Sequence, residues 1–171
     1  AYLKIDGFNI LPVLSFSMAS TTFTGQNYGA KKVDRVKKGM WVVLAMCVVY
    51  TIITGALLLA FAHQVIRLFS QDPDVIEAGV RAMRYFCPFY FLLGILHSVA
   101  GTIRGVGKTV PPMIVLFLSL CLFRVICILY VIPMTSINYV YMLYPLSWLI
   151  GAILMVAYFV KSKPLTIKER I

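Results

Sequence analysis

Carboxylates are scarce in this chain: six Asp and Glu face sixteen Lys and Arg, and charged residues of both signs make up 13% of 171 positions. A water-soluble domain carries about 25%, so the deficit excludes an ordinary globule. It also removes most hydrolytic and metal chemistry. No cluster of acids, no His-x-x-Glu-His and no Gly-x-Ser-x-Gly occurs, and His63 and His97 each stand alone. A lone histidine on an apolar helix is a packing or hydrogen-bonded residue. The four cysteines, Cys47, Cys87, Cys121 and Cys127, lie inside apolar runs with no Cys-x-x-Cys spacing, which excludes a zinc knot and argues against disulfides. The chain is therefore read as a non-enzyme without cofactor or metal. The net charge of +10 does not make nucleic acid a partner, because the cations sit between apolar runs and not on a solvated domain. No signal peptide is visible, and a start at Ala1 in or just before a helix is what a fragment would show.

What is abundant is grease. Hydrophobic residues make up 61% and the mean hydropathy is +0.90. A hydrocarbon layer of about 30 Å needs about 20 apolar residues in a helix. Four stretches supply them, 39–62, 80–103, 109–132 and 139–160, the second of these with an origin near Pro73. A fifth, weaker one covers 4–24, with Asp6 near its start and Pro12 inside it. The expectation is an all-α polytopic membrane protein of five transmembrane helices, with a tail at 161–171 and the lipid bilayer as its solvent.

Cations set the orientation. Lys31, Lys32, Arg35, Lys37 and Lys38 follow the first span, Arg104 and Lys108 follow the third, and Lys161, Lys163, Lys168 and Arg170 follow the fifth. Those eleven fall on one side of an alternating path; Lys4, Arg67, Arg81 and Arg84 fall on the other. The richer side, with the C-terminus, is expected in the cytoplasm. On the outer side Asp72 reads as a helix N-cap, with Pro73 at the first helical position and Asp74 and Glu77 suiting the positive end of the dipole.

"GTIRGVGKT" ends in the letters of a phosphate loop, but Thr102 stands where Gly is required and Pro111-Pro112 follows. It reads as a tight turn between spans. Ionisable groups within the bilayer cost about 2.5–3.5 kcal/mol unless paired or wetted, which singles out Asp6 and Arg124. Arg124 lies about 21 Å from the basic end of its span and Asp6 about 28 Å, so either a structural ion pair or a water-filled cavity accounts for them. Pro12 and Pro88 fall at nearly one depth, about 20 Å from the same side, and are expected as kinks or hinges. Ser15, Ala19 and Thr22 are spaced for a close-packing face on the first span, against another helix of this chain or one outside it.

In their order, "ILPVLSFSMASTTFTGQNYGAKKVDRVKKG", "VIRLFSQDPDVIEAG", "AGTIRGVGKTVPP" and "FRVICILYVIP" resemble the C-terminal half of multidrug and toxin extrusion (MATE) transporters. The resemblance runs through the whole chain and rests most on Gly25, Gln26, Asn27, Gly29 and Ala30 before the basic run, and on Arg104 and Gly105; these are expected in cytoplasmic loops. It implies five helices equivalent to the eighth to twelfth of a twelve-helix, two-lobed protein. The chain would then be a partial C-terminal lobe, with the N-terminal lobe of the same polypeptide as its partner. It further implies a plasma-membrane antiporter that exchanges lipophilic or cationic small molecules for Na⁺ or H⁺ by alternating access of the two lobes. Asp6 matches a polar position of the eighth helix, and Arg124 a basic residue often seen in the eleventh. Some members carry an ion-binding acid in the tenth helix, and around Leu93 this chain has none; coupling would then rest on the seventh helix or the other lobe. Two alternatives stand beside this reading. A lipid-linked saccharide flippase of the same superfamily would need Arg124, Arg81 and Arg84 facing the lumen, and a non-transporting membrane interaction subunit would need no second lobe.

Overall fold

The computed structural model describes residues 2–130 and 138–165, and the side chains of all of these except 2–6, 8, 138 and 139. Helix accounts for nearly all of them, and no strand occurs among the described residues. The elements are α1 (Tyr2–Gly29), α2 (Val33–Ala60), the short α3 (Ala62–Arg67), α4 (Pro73–Phe86), a 3₁₀ turn (Cys87–Phe89) and α5 (Tyr90–Gly105). There follow α6 (Val110–Leu116), a π-helical turn (Phe117–Leu122), α7 (Phe123–Tyr130) and α8 (Asn138–Ser162).

Four continuous segments among the described residues are long and apolar enough to cross a membrane: Val33–Ala60, Pro73–Gly105, Val110–Tyr130 and Val140–Ser162. The fifth expected span lies within α1. That helix has 28 residues, about 42 Å at 1.5 Å per residue, but its hydroxyls leave it less apolar than the other four. The third span runs longer than 80–103, because Asp72 caps it as its sequence suggests. The Asp72 carboxylate accepts from the Asp74 N–H at 2.9 Å, and Pro73 opens the helix.

Contacts between helices fix their directions. Gly39 lies against Phe23, Gly94 against Cys47 and Gly55 against Cys87, so α2 runs opposite to both α1 and α5. Ser17 meets Gly101 and Thr24 meets Gly105, so α1 and α5 run the same way. Tyr85 stacks on Tyr141 and Tyr90 lies 5.7 Å from Trp148, which makes α8 parallel to α4–α5. The π turn returns against α8 where Ser119 meets Gly151. Alternation of this kind brings Lys31, Lys32, Lys108, Lys161 and Lys163 to one end of the bundle. The α4–α5 span is its centre and α6–α7 its outermost member: 78% of the most apolar 18-residue stretch is buried in the first and 6% in the second. Phe86, Tyr90, Leu96, Trp148 and Met155 form the core between α5 and α8.

The basic end corrects one expectation. Gly25, Gln26, Asn27 and Gly29 are not a loop; α1 stays helical through all of them, and Arg104 and Gly105 are likewise the last residues of α5. The chain turns one step later. Lys32 N–H donates to Asn27 O (2.8 Å) and Lys31 N–H to Tyr28 O (2.9 Å), the paired bonds of a Schellman end, with Lys31 itself at φ 58°. α5 ends in the same way, Lys108 N–H to Ile103 O (3.2 Å) and Gly107 N–H to Arg104 O (2.9 Å), with Gly107 at φ 89°. Glycine suits that left-handed position and lysine does not, by about 1 kcal/mol. Lys31→Gly is therefore expected to raise the stability of the detergent-purified protein by about 0.5–1 kcal/mol, and Gly107→Ala to lower it by a similar amount. Thermal denaturation checks both signs.

Candidate functional site

Polar side chains inside this bundle gather on the seam between α1 and α5. Serine and threonine recur at 17, 20, 21 and 24, a helical stripe, and α5 answers with Gly101, Thr102 and Gly105. The Ser17 hydroxyl donates to His97 O at 2.6 Å. Thr21 Oγ1 is shared between Ser17 O (2.9 Å) and Gly101 O (3.1 Å), and Ser20 and Thr102 hydroxyls meet at 3.3 Å. Arg104 folds back toward the membrane interior and donates through Nη2 to Ser17 Oγ at 3.0 Å. Without a Cβ at 101 and 105 the two backbones approach closely: a methyl at Gly101 would lie 2.6 Å from Ser17 O, and one at Gly105 2.7 Å from Thr21 O. Gly25 belongs to the same contact, 3.4 Å from Gly105 O by the same measure. That contact explains why a glycine stands there although the helix does not turn.

Close packing also buries groups that find no partner. Asn9 Oδ1, Thr24 Oγ1, His97 Nδ1, Ser98 Oγ and Arg104 Nε are buried without a hydrogen bond among the described residues. His97 is only 7% exposed. Each such group is costly in an apolar medium, so this seam is the polar axis of the chain. In the sequence alone His97 stands as a packing residue and Arg104 as part of a turn, with nothing to join them. The hydroxyl stripe at 17, 20, 21 and 24 is the signal that joins them; the face at Ser15, Ala19 and Thr22 is not the one that packs on α5. Ser15 and Thr22 prove exposed, with their hydroxyls bonded back to Leu11 O and Met18 O, and Ala19 is exposed as well.

Arg124 lies elsewhere, on the outer pair of helices. Its Nε donates to Ser147 Oγ at 2.9 Å, and its guanidinium lies 4.3 Å from the centre of the Tyr144 ring. Both partners belong to α8, so the side chain clamps α7 to α8. The π turn just before it was not legible in the sequence; within it Ser119 donates to Val115 O at 2.7 Å and packs on Gly151. Asp6 falls in α1, but its side chain lies outside the described residues, as does any pairing with Arg124. Pro12 sits inside an unbroken α1, whereas Pro88 falls in the 3₁₀ turn that joins α4 to α5. Arg81 pairs with Glu77 at 2.8 Å on the exposed face of α4, and Arg84 is exposed nearby. Beside that turn an apolar cleft of about 310 Å³ opens between Phe89 and Leu92 of the central span and Met142, Pro145 and Leu149 of α8.

Known proteins match this arrangement in sequence. The family model described as MatE covers residues 1–129. A probable multidrug resistance protein NorM of Thermotoga maritima is 28% identical over 122 residues, 69% of this chain and 25% of that protein. The multidrug and toxin extrusion protein 2 of mouse is 29% identical over 93 residues, 54% of this chain and 16% of its own length. A probable multidrug resistance protein YpnP of Bacillus subtilis is 22% identical over 124 residues, 72% of this chain and 28% of its own. The chain thus spans between 16% and 28% of the length of these relatives. With three-quarters of its residues inside the family model, and apolar helices running in alternating directions, the chain belongs to the MatE family of membrane proteins.

Proposed function

We propose that this chain is part of the C-terminal lobe of a secondary active efflux transporter, which expels lipophilic or cationic compounds in exchange for Na⁺ or H⁺. The family match carries the reading, and the relatives named for multidrug resistance and toxin extrusion supply the substrate class. Transport, not catalysis, is the activity. The polypeptide lies in the plasma membrane with the basic end of the bundle in the cytoplasm, and a second lobe of the same polypeptide completes the cavity. Rocking of the lobes exposes that cavity to each side in turn. Support for motion comes from the central span, whose 3₁₀ turn at Cys87–Phe89 departs from α-helical hydrogen bonding at Pro88.

Asp6 is the acid we assign to attraction of the cation or substrate, as the one carboxylate placed within the spans by sequence. The test expresses the full-length protein in cells stripped of their own efflux pumps and follows ethidium export under an imposed Na⁺ or H⁺ gradient. Gradient-driven export that drops at least tenfold in Asp6→Asn supports both assignments. Export that ignores either gradient sinks the antiport reading, and export unchanged by the substitution removes Asp6 from the mechanism. No observation gathers Arg124, Arg81 and Arg84 around one lumen, so the flippase reading is not carried further.

A further inference from the structure

The first two turns of α2 hold an arrangement that the transport proposal leaves unassigned. Arg35 and Lys38, three residues apart, share one face of the helix. Both are exposed, and the one ion pair among the described residues is that of Arg81 with Glu77, far away on α4. Directly beneath them a groove of about 440 Å³ runs between α1 and α2, walled by Ala19, Phe23, Gly39, Val42 and Val43. Its walls are apolar and Val42 is 57% exposed. Gly39 makes the groove possible. Phe23 lies flat over that glycine, where a Cβ would collide with the ring, and leaves a trough along the helix pair.

Charge changes sharply along this groove. Cations at 35, 37 and 38 outnumber the single acid Asp34, and from Gly39 to Ala62 no charged residue occurs. The mouth of the groove is thus where the water-facing end of the bundle meets hydrocarbon. A ligand that fits must be anionic at one end and a long apolar chain at the other, with the boundary between them at Lys38. Soluble anions satisfy only the first requirement, and a neutral lipid only the second.

We infer that this groove is a binding site for one anionic phospholipid, with the phosphate held between Arg35 and Lys38 and an acyl chain lying over Phe23, Gly39 and Val42. Each cation near a lipid phosphate contributes about a factor of five in affinity, so removing both weakens binding roughly 25-fold. The groove is open on the α1–α2 pair of this chain, so a lipid can enter it without passing between α1 and α5.

The experiment reconstitutes the full-length protein in phosphatidylcholine nanodiscs containing phosphatidylglycerol, then counts retained lipids by native mass spectrometry. The expected result is one phosphatidylglycerol that survives delipidation on the unaltered protein and is lost from Arg35→Gln/Lys38→Gln. Lys108→Gln/Lys161→Gln, which removes two cations from the same end but not from the groove, is expected to keep it. Val42→Trp, which fills the trough and leaves both charges, is expected to release it, and millimolar glycerol phosphate is expected not to displace it. Equal losses in the two charge variants would mean a diffuse surface field and overturn the site, as would displacement by glycerol phosphate. Absence of retained phosphatidylglycerol on the unaltered protein would mean that another lobe or a second copy covers the groove, and overturns it too. Efflux is not the readout, so the result stands apart from the transport proposal.

Discussion

Leucine in place of Gly101 is expected to abolish recovery of folded protein, and alanine there to cost about 2 kcal/mol. The sign comes from two opposed magnitudes. Alanine is the better helix former by about 1 kcal/mol, and in an open helix that gain would decide the result. At Gly101 the new methyl instead meets Ser17 O at 2.6 Å and Ser17 Oγ at 2.9 Å. The first of these is backbone, which no rotamer change can move, so α1 must shift away from α5. That shift lengthens the Ser17 and Thr21 hydrogen bonds that cross the seam, and overpacking of a tight contact costs about 1–3 kcal/mol in its own right. Gly105→Ala belongs to the same class, since Thr21 O lies 2.7 Å from the added atom. Gly29 provides the opposite result. Nothing lies within 4 Å of a methyl there, so Gly29→Ala is expected to be neutral or to stabilise by up to about 1 kcal/mol. Melting temperatures of the full-length protein in one detergent measure all three, and destabilisation by Gly29→Ala equal to that of Gly101→Ala would overturn the account. Both glycines belong to the stretches through which this chain resembles its family, yet only one is needed for packing.

Much of the fold was legible because a membrane converts composition into geometry. Length of apolar run gives a span, and loop cations give its direction; the alternating helix pairs agree with the spans and with the gathering of those cations at one end. Asp72-Pro73 gave a helix start, because caps are written in a few adjacent residues. Partner choice is written less clearly. In lipid, an apolar face is equally at home against a neighbour or a fatty acid, and only small or polar residues mark where backbones meet. On α1 two such stripes compete, 15/19/22 and 17/20/21/24, and what separates them lies on α5. The five letters from Gly101 to Gly105 carry that answer as a Gly-x-x-x-Gly contact, whereas a search for phosphate loops and turns reads them as the approach to Gly107. Only Gly107 makes the turn. The π turn at Phe117–Leu122 was illegible for a different reason: it contains no Pro and no Gly, and the contact it makes, Ser119 on Gly151, lies across the helix pair.

Arg124 shows the same limit at the level of a site, and its substitution is the second large effect expected. Rarity of charge in the bilayer singles it out, for a structural pair or for a wetted cavity, but rarity does not say what the charge touches. Its Nε bond to Ser147 and its position over Tyr144 tie α7 to α8. A hydrogen bond from a charged donor contributes about 1.5–3 kcal/mol and a desolvated cation–π contact about 2 kcal/mol. Arg124→Ala is therefore expected to destabilise the protein by about 3 kcal/mol, somewhat less than the sum because the two share one side chain. Ser147 keeps its own bond to Tyr144 O at 2.7 Å, so the variant leaves no hydroxyl stranded there. Tyr144→Phe retains the ring face and is expected to change little, whereas Tyr144→Leu should remove about 2 kcal/mol. In a double-mutant cycle, Arg124→Ala and Tyr144→Leu are then coupled by at least 1 kcal/mol. A clamp also makes a kinetic prediction that a substrate-binding arginine does not. Its loss lowers the melting temperature before it alters the apparent KM for ethidium, and Arg124→Met, which refills the space without charge, recovers part of the stability. A variant with unchanged melting temperature and a KM raised tenfold would instead place the guanidinium on the transport path.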